Sequence, residues 1–155
     1  MGLFSFGKDK GEKLAAEEAA AAHADMKERA AKSRALVKMV QDLGFDVDGL
    51  KVGYDDGAVT VEGEVPSQEV REKIILVLGN TQGVATVDDR LKVVAAEPEP
   101  EATMYTVKSG DSLSKIAKEF YGDAMRYPEI FEANKPMLKD PNKIYPGQVL
   151  RIPAK

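Results

Sequence analysis

Residues 95–103 constrain the fold of this chain more than any other stretch. Their sequence, Ala-Ala-Glu-Pro-Glu-Pro-Glu-Ala-Thr, holds two prolines, three glutamates and no apolar side chain larger than alanine. Alternating glutamate and proline stays extended and hydrated, because such a segment has nothing to bury. A chain of 155 residues that is interrupted in this way is expected to form two small domains. Each is near the size at which a single core is only marginally stable.

The charge differs in sign on the two sides of this linker. Residues 1–103 hold 13 Lys and Arg against 20 Asp and Glu, whereas residues 104–155 hold 9 against 6. An acidic first half argues against nucleic acid or an anionic membrane as its main partner. The chain has no cysteine and one histidine, which excludes disulfides, thiolate metal sites and multi-histidine zinc sites.

The N-terminal residues predict a cytoplasmic protein. Apolar residues 2–6 come before the lysines of residues 8–13, whereas a secretory signal places basic residues first and a longer apolar core after them. Phe6 stands where an acylation signal needs Ser or Thr. No apolar run approaches the length of a membrane span. We therefore expect neither export nor a membrane anchor.

The first half of the chain predicts a small α+β domain. Residues 1–25 are interpreted as a glycine-rich segment of irregular backbone followed by an alanine-rich helical extension. The predicted elements are a helix over residues 13–43, strands over 50–54 and 58–65 around an Asp-Gly hairpin turn, a helix that Ser67 caps and Gly79 ends, and a strand over 84–94. This order predicts helices on one face of a sheet.

Two ordered patterns in this half resemble a known family. Asp-Gly-x-Val-x-Val-x-Gly stands at residues 56–63, and Gly-Val-x-x-Val-Asp-Asp-x-Leu stands at residues 83–91. With the helix between them, they resemble the BON domain, and the likeness covers residues 26–94.

The second half resembles a LysM domain over residues 104–155. Tyr-Thr-Val at 105–107 predicts a first strand, and Lys-Ser-Gly-Asp-Ser-Leu at 108–113 predicts a turn into a helix that Asp111 or Ser112 caps. Pro-Gly-Gln-Val-Leu-Arg-Ile-Pro at 146–153 predicts the returning strand. The resemblance implies a βααβ fold.

No set of side chains predicts catalysis, and we expect a protein without enzymatic activity. A nucleophile needs a base beside it, and the single histidine, His23, lies in an alanine-rich stretch. Glu62 and Glu64 share one face of a strand. Paired carboxylates serve glycosidases, but we expect these two to line the solvent side of the sheet.

Residues 79–84, Gly-Asn-Thr-Gln-Gly-Val, are a candidate ion site that needs no charged side chain. They follow a predicted helix, whose last carbonyls lack amide partners and carry partial negative charge. Neutral carbonyl oxygens suit large, weakly hydrated monovalent cations. The glycine-rich N-terminal segment can close such a site from the other side. From the residues alone, the alternative that the loop only joins helix to strand stays open.

Over nearly its whole length the chain resembles a family of bacterial cytoplasmic potassium-binding proteins. The likeness includes Met-Gly-Leu-Phe at residues 1–4, Gly-Glu-Lys-Leu at 11–14, the BON pattern, the acidic linker and the LysM ending. It implies selective binding of K⁺ over Na⁺, with Rb⁺ and Cs⁺ as further ligands, and a conformational change on binding. Carried over by position, it implies backbone carbonyl ligands from Gly7, Lys10, Glu12, Gly79, Thr81 and Val84.

The LysM resemblance implies a second hypothesis, the binding of peptidoglycan fragments or other N-acetylglucosamine glycans. The groove would be formed by Gly110, Asp111, Ser112, Leu113, Ile144, Tyr145, Pro146 and Gly147. In a cytoplasmic protein this groove can instead dock the BON domain, so we expect contact between the two domains of a monomer. A third hypothesis, BON-type lipid association, is disfavoured by the acidic first half.

Overall fold

The computed structural model describes residues 2–5, 22–94 and 100–154, and it describes side chains in 26–94 and 100–154. The elements in chain order are β1 Gly2–Ser5, α1 Ala22–Asp42, β2 Asp48–Asp55, β3 Ala58–Val65, α2 Gln68–Gly79, β4 Thr86–Val93, β5 Thr103–Thr106, α3 Leu113–Tyr121, a short 3₁₀ turn Ala124–Arg126, α4 Tyr127–Ala133 and β6 Val149–Ile152. This mixture confirms the predicted α+β class. Residues 13–21 of the first predicted helix lie outside the described residues.

The first sheet has the strand order β1-β4-β3-β2. β2 and β3 form the predicted hairpin, in which Asp55 pairs with Ala58. Asp56 and Gly57 have φ angles of 45° and 86°, as expected for a two-residue turn whose twist matches the strands. β3 and β4 run parallel, since α2 carries the chain back across the sheet between them.

The irregular backbone predicted for residues 1–25 is wrong at Gly2–Ser5. These residues form β1, which pairs antiparallel with β4. Without β1, β4 would be an edge strand with a row of unpaired amide and carbonyl groups. The backbone of Gly2–Ser5 supplies those hydrogen-bond partners. Because strand pairing uses backbone groups, the glycines that suggested an irregular segment do not prevent it.

Apolar side chains from α1, α2 and the sheet form one core. Leu36 and Val40 of α1 and Ile74 and Leu78 of α2 are buried against the strands. Ser67 caps α2 as predicted, because its hydroxyl accepts a hydrogen bond from the Val70 amide. The same core includes Val149 of β6, so α2 also contacts the second half of the chain.

A buried ion pair fixes α2 to the sheet. The Asp89 side chain is fully buried, and the Arg71 guanidinium lies 2.6 Å from its carboxylate. Asp89 also accepts a hydrogen bond of 2.9 Å from the Leu91 amide. Asp88, on the opposite face of β4, pairs instead with the exposed Arg90. The two neighbouring aspartates therefore have different environments, as strand alternation requires.

The second half has the predicted βααβ order. β5 and β6 pair antiparallel, with Thr103 opposite Ile152. Ser112 is the residue that caps α3, since its hydroxyl accepts a hydrogen bond from the Lys115 amide. The second half has a core of its own, which includes Ile116, Ala117, Ile130 and Leu150.

Candidate functional site

The loop between α2 and β4, residues 79–84, is called the post-helix loop below. Gly79 is the last residue of α2. Its carbonyl belongs to the last turn of the helix, where carbonyl groups lack the amide four residues ahead and carry the negative end of the helix dipole. The loop therefore presents oxygen atoms of negative potential without any carboxylate side chain.

The backbone of the post-helix loop is held in a compact turn. The Val84 amide donates to the Thr81 carbonyl at 3.2 Å, and the Thr81 hydroxyl donates to the Val77 carbonyl of α2 at 2.7 Å. Gly83 has a φ angle of +88°, a left-handed conformation that glycine adopts without strain. These contacts hold the loop backbone in a defined conformation.

Two side chains outside the loop also hold its carbonyls, and the sequence analysis identified neither. Tyr54 of β2 donates its hydroxyl to the Gly83 carbonyl at 2.9 Å. Lys32 of α1 donates its ammonium to the Gln82 carbonyl at 2.9 Å, and this ammonium lies 5.9 Å from the Tyr54 ring centroid. The loop thus already attracts one positively charged group from the protein itself.

Three of the six predicted ligand residues, Gly79, Thr81 and Val84, lie together in this loop. The other three, Gly7, Lys10 and Glu12, lie outside the described residues. β1 ends at Ser5, which is opposite Thr86 in the sheet, two residues after Val84. The strand that leads into residues 7–12 therefore ends beside the post-helix loop. In the described part of the chain, no three His, Asp or Glu side chains converge as a metal-binding group.

The post-helix loop also contacts the second half of the chain, through Asn80. The Asn80 side-chain amide donates to the Val149 carbonyl at 2.7 Å, and its oxygen accepts from the Val149 amide at 2.8 Å. The same amide nitrogen lies 3.2 Å from the sulfur of Met137. The side chain thus pairs with β6 as a neighbouring strand would.

A buried ion pair joins the other end of α2 to β6. Arg151 donates from Nη2 and Nε to one oxygen of Glu72, at 2.8 and 3.1 Å. The second oxygen of Glu72 accepts from the Ala102 amide at 2.9 Å. Both side chains are nearly fully buried, with 8% and 4% of their side-chain surface exposed. Nearby, Glu69 has a pKa below its ordinary value, chiefly because Lys73 donates a hydrogen bond to it.

Four of the eight predicted glycan-groove residues line a common cavity. A cavity of about 230 Å³ is lined by four predicted residues, Asp111, Ser112, Leu113 and Ile144. Tyr145 instead lines a cavity of about 430 Å³ between the two halves of the chain. The Gly147 amide is used in a hydrogen bond to the Val107 carbonyl, and the Gly110 carbonyl accepts from Lys115. Pro146 precedes Gly147 in the same turn.

A hydrogen bond fixes one wall of this 230 Å³ cavity. The Tyr105 hydroxyl donates to Asp111 at 2.5 Å, and this bond raises the pKa of Tyr105 to about 12. The pKa of Asp111 lies below its ordinary value because it accepts from Tyr105 and from the Lys108 amide. Asp111 is thus a carboxylate with defined partners at the edge of this cavity.

Comparison with known proteins defines the class. The BON domain model matches residues 25–95, and the LysM domain model matches residues 105–153. Both predicted resemblances are confirmed, and the chain is a BON–LysM protein. No helix in the described residues has the length and apolar character that a membrane span requires.

One relative matches this chain over nearly the full length of both proteins. This chain is 49% identical to the potassium binding protein Kbp of Escherichia coli over 154 residues, which cover 99% of each chain. The chain belongs to the family of that protein. It is also 37% identical to an uncharacterised protein of Deinococcus radiodurans over 117 residues, 70% of this chain and 44% of that one. A match to the esterase Rv1288 of Mycobacterium tuberculosis, 51% over 53 residues, covers only 11% of the esterase.

Proposed function

We propose that this protein binds a potassium ion, selectively over sodium, through backbone carbonyls, and that binding changes its conformation. The ligands are the carbonyls of Gly79, Thr81 and Val84 from the post-helix loop and of Gly7, Lys10 and Glu12 from the segment after β1. The observation that carries the proposal is the sheet register, because β1 ends opposite Thr86. The name of the Escherichia coli relative supports the identity of the ion.

The proposed donor set suits potassium in physical terms. Carbonyl oxygens replace the hydration shell of K⁺ at less cost than that of Na⁺, because the larger ion holds water less strongly. The contribution of cavity size to this selectivity depends on how rigid the site is. The loop turn and the hydrogen bonds from Tyr54 and Lys32 make the backbone at residues 81–83 more rigid. The C-terminal end of α2 adds attraction for a cation. The activity is binding without catalysis, and a cytoplasmic location stays a prediction from the N-terminal residues.

Thermal unfolding in matched KCl and NaCl tests this function. At a KCl concentration about a hundred times the dissociation constant, binding stabilises the folded state by about 2.7 kcal/mol. That energy raises the midpoint by roughly 5–10 °C for a chain of this size. Equal ionic strength in the two salts controls for screening. Identical midpoints across the whole range of concentration would remove the proposal.

Replacing Lys32 with glutamine is expected to raise the affinity for potassium by roughly 2- to 30-fold. Its ammonium lies at the post-helix loop, and a like charge at roughly 6–10 Å opposes a bound cation by about 0.5–2 kcal/mol. Titration calorimetry with KCl measures the change. Lys38→Gln is the matched control, since Lys38 is on the same helix but pairs with Asp42. An unchanged or reduced affinity in Lys32→Gln would show that the lysine does not oppose the ion.

We also propose glycan binding as a second candidate function of the LysM half. The cavity of about 230 Å³ beside α3 favours it, because four predicted groove residues line this space. Asp111 would accept a hydrogen bond from a sugar hydroxyl, and Leu113 and Ile144 would form an apolar floor. Sedimentation with purified peptidoglycan tests this, and an Asp111→Ala variant should sediment less. A protein that stays wholly in the supernatant would eliminate the second function.

A further inference from the structure

Asn80 makes two kinds of connection at once. Its backbone lies in the post-helix loop directly between Gly79 and Thr81, two of the proposed ligand residues. Its side chain makes both hydrogen bonds of a peptide-like pair with Val149 of β6, at 2.7 and 2.8 Å. One residue therefore connects the proposed ion site to the LysM half through bonds of fixed geometry.

We propose that Asn80 couples potassium binding to the docking of the LysM half on α2. This inference rests on the proposed function, because it needs an ion at the post-helix loop. The ion-bound loop favours the docked position of β6, and the docked β6 raises the affinity of the loop for the ion. The two effects are equal in size, since coupling between binding sites is reciprocal.

The geometry gives the physical reason. The Gly79 carbonyl belongs to the peptide plane that also contains the Asn80 amide, and this amide is bonded to the Leu76 carbonyl at 2.9 Å. Turning the Gly79 carbonyl toward an ion changes ψ of Gly79 and φ of Asn80, the two torsion angles that set the direction of the Asn80 side chain relative to α2. A pair of hydrogen bonds of 2.7 and 2.8 Å tolerates only small displacements. The pairing with Val149 is therefore complete in one conformation of the loop.

The contact that Asn80 makes with β6 differs in position from the ion pair of Glu72 and Arg151, which also joins α2 to β6. The pair of Glu72 and Arg151 lies at the beginning of α2, about two turns of helix from the loop. It stabilises docking, but none of its atoms belongs to a peptide unit of the post-helix loop. Asn80 is thus a positioning residue, whereas Glu72 and Arg151 hold the two halves together whatever the state of the loop.

A double-mutant cycle in the full-length protein tests the coupling. Asn80→Ala is expected to lower the affinity for KCl, measured by calorimetry, by about tenfold, although its side chain is not a ligand. In a Glu72→Gln background, where docking is already weakened, the same substitution should lower affinity far less. Asn80→Gln keeps the amide but adds a methylene, and its affinity should fall as in Asn80→Ala. An equal loss in both backgrounds would show a local effect on the loop and overturn the proposal.

Hydrogen exchange of the Val149 amide gives a second measurement that does not depend on any variant. The amide should exchange more slowly in KCl than in NaCl of the same ionic strength, because the bound ion favours the conformation in which this amide is bonded to Asn80. Equal exchange in a protein that binds K⁺ by calorimetry overturns the coupling alone. Absence of any K⁺ binding by the unmodified protein overturns both the coupling and the proposed function.

Discussion

Replacing Asp89 with alanine is expected to lower the free energy of unfolding by about 3–5 kcal/mol, because it leaves an uncompensated charge at the buried end of Arg71. The Asp89 side chain has no exposed surface, and it accepts from Arg71 Nε at 2.7 Å and from the Leu91 amide. Only 20% of the Arg71 side chain is exposed, so water can restore little of the lost interaction. Urea unfolding followed by circular dichroism measures the change.

Asp88→Ala is the matched control for this prediction. Asp88 is the preceding residue of β4, and its partner Arg90 has half of its side-chain surface exposed. Exposed pairs contribute about 0–1 kcal/mol, so the control should remain close to the unmodified protein. The double variant Asp89→Leu with Arg71→Met removes both charges and should recover much of the stability. Equal losses in Asp88→Ala and Asp89→Ala would contradict the account of the core.

Replacing Glu72 with alanine is the second change with a large expected effect, again about 3–5 kcal/mol in the free energy of unfolding. The substitution leaves the buried Arg151 guanidinium with the Ala133 carbonyl at 3.2 Å and the half-exposed Glu69 carboxylate at 3.8 Å. It also removes the acceptor of the Ala102 amide. Because these contacts join α2 to the LysM half, the loss should appear as weaker association of the two halves as well as a lower unfolding midpoint.

Glu69→Ala separates the buried contact from the general charge of α2. Glu69 is one turn earlier on the same helix, 53% of its side chain is exposed, and it lies 3.8 Å from Arg151. Its removal should cost no more than about 1 kcal/mol. Chemical denaturation of both variants, with amide exchange at β6 as a local measure, makes the comparison. A Glu69→Ala loss as large as that of Glu72→Ala would rule out the buried bond as the reason.

Local patterns predicted much of the fold because local chemistry determines it. The Asp56-Gly57 turn needs two residues of positive φ, and few residues other than Asp, Asn and Gly supply them. Ser67 and Ser112 cap helices through their own hydroxyls. β1 was missed because four residues carry too little pattern to indicate a strand; its partner is β4, more than 80 residues away. The division of the chain at residues 95–103 stays a prediction.

The candidate site was predicted less completely than the fold. The post-helix loop could be found because a helix end followed by glycine-containing backbone has a recognisable pattern. Lys32 and Tyr54 could not, because only the packing of α1 and β2 brings them to the carbonyls of Gln82 and Gly83. The role of Asn80 depends in the same way on the approach of β6. In the sequence, Tyr54 is distinguished only as an aromatic residue near the end of a predicted strand, and that feature is too common to indicate a role at the site.

Crystals soaked in RbCl test the central claim most directly, since Rb⁺ is close to K⁺ in size and gives an anomalous signal. The account predicts one strong anomalous peak within bonding distance of the carbonyl oxygens of Gly79, Thr81 and Val84, with the remaining ligands supplied by residues 7–12. The same peak should disappear when the soak contains excess KCl and persist in excess NaCl. A post-helix loop without a peak, or a peak held by carboxylate side chains elsewhere, would contradict the account.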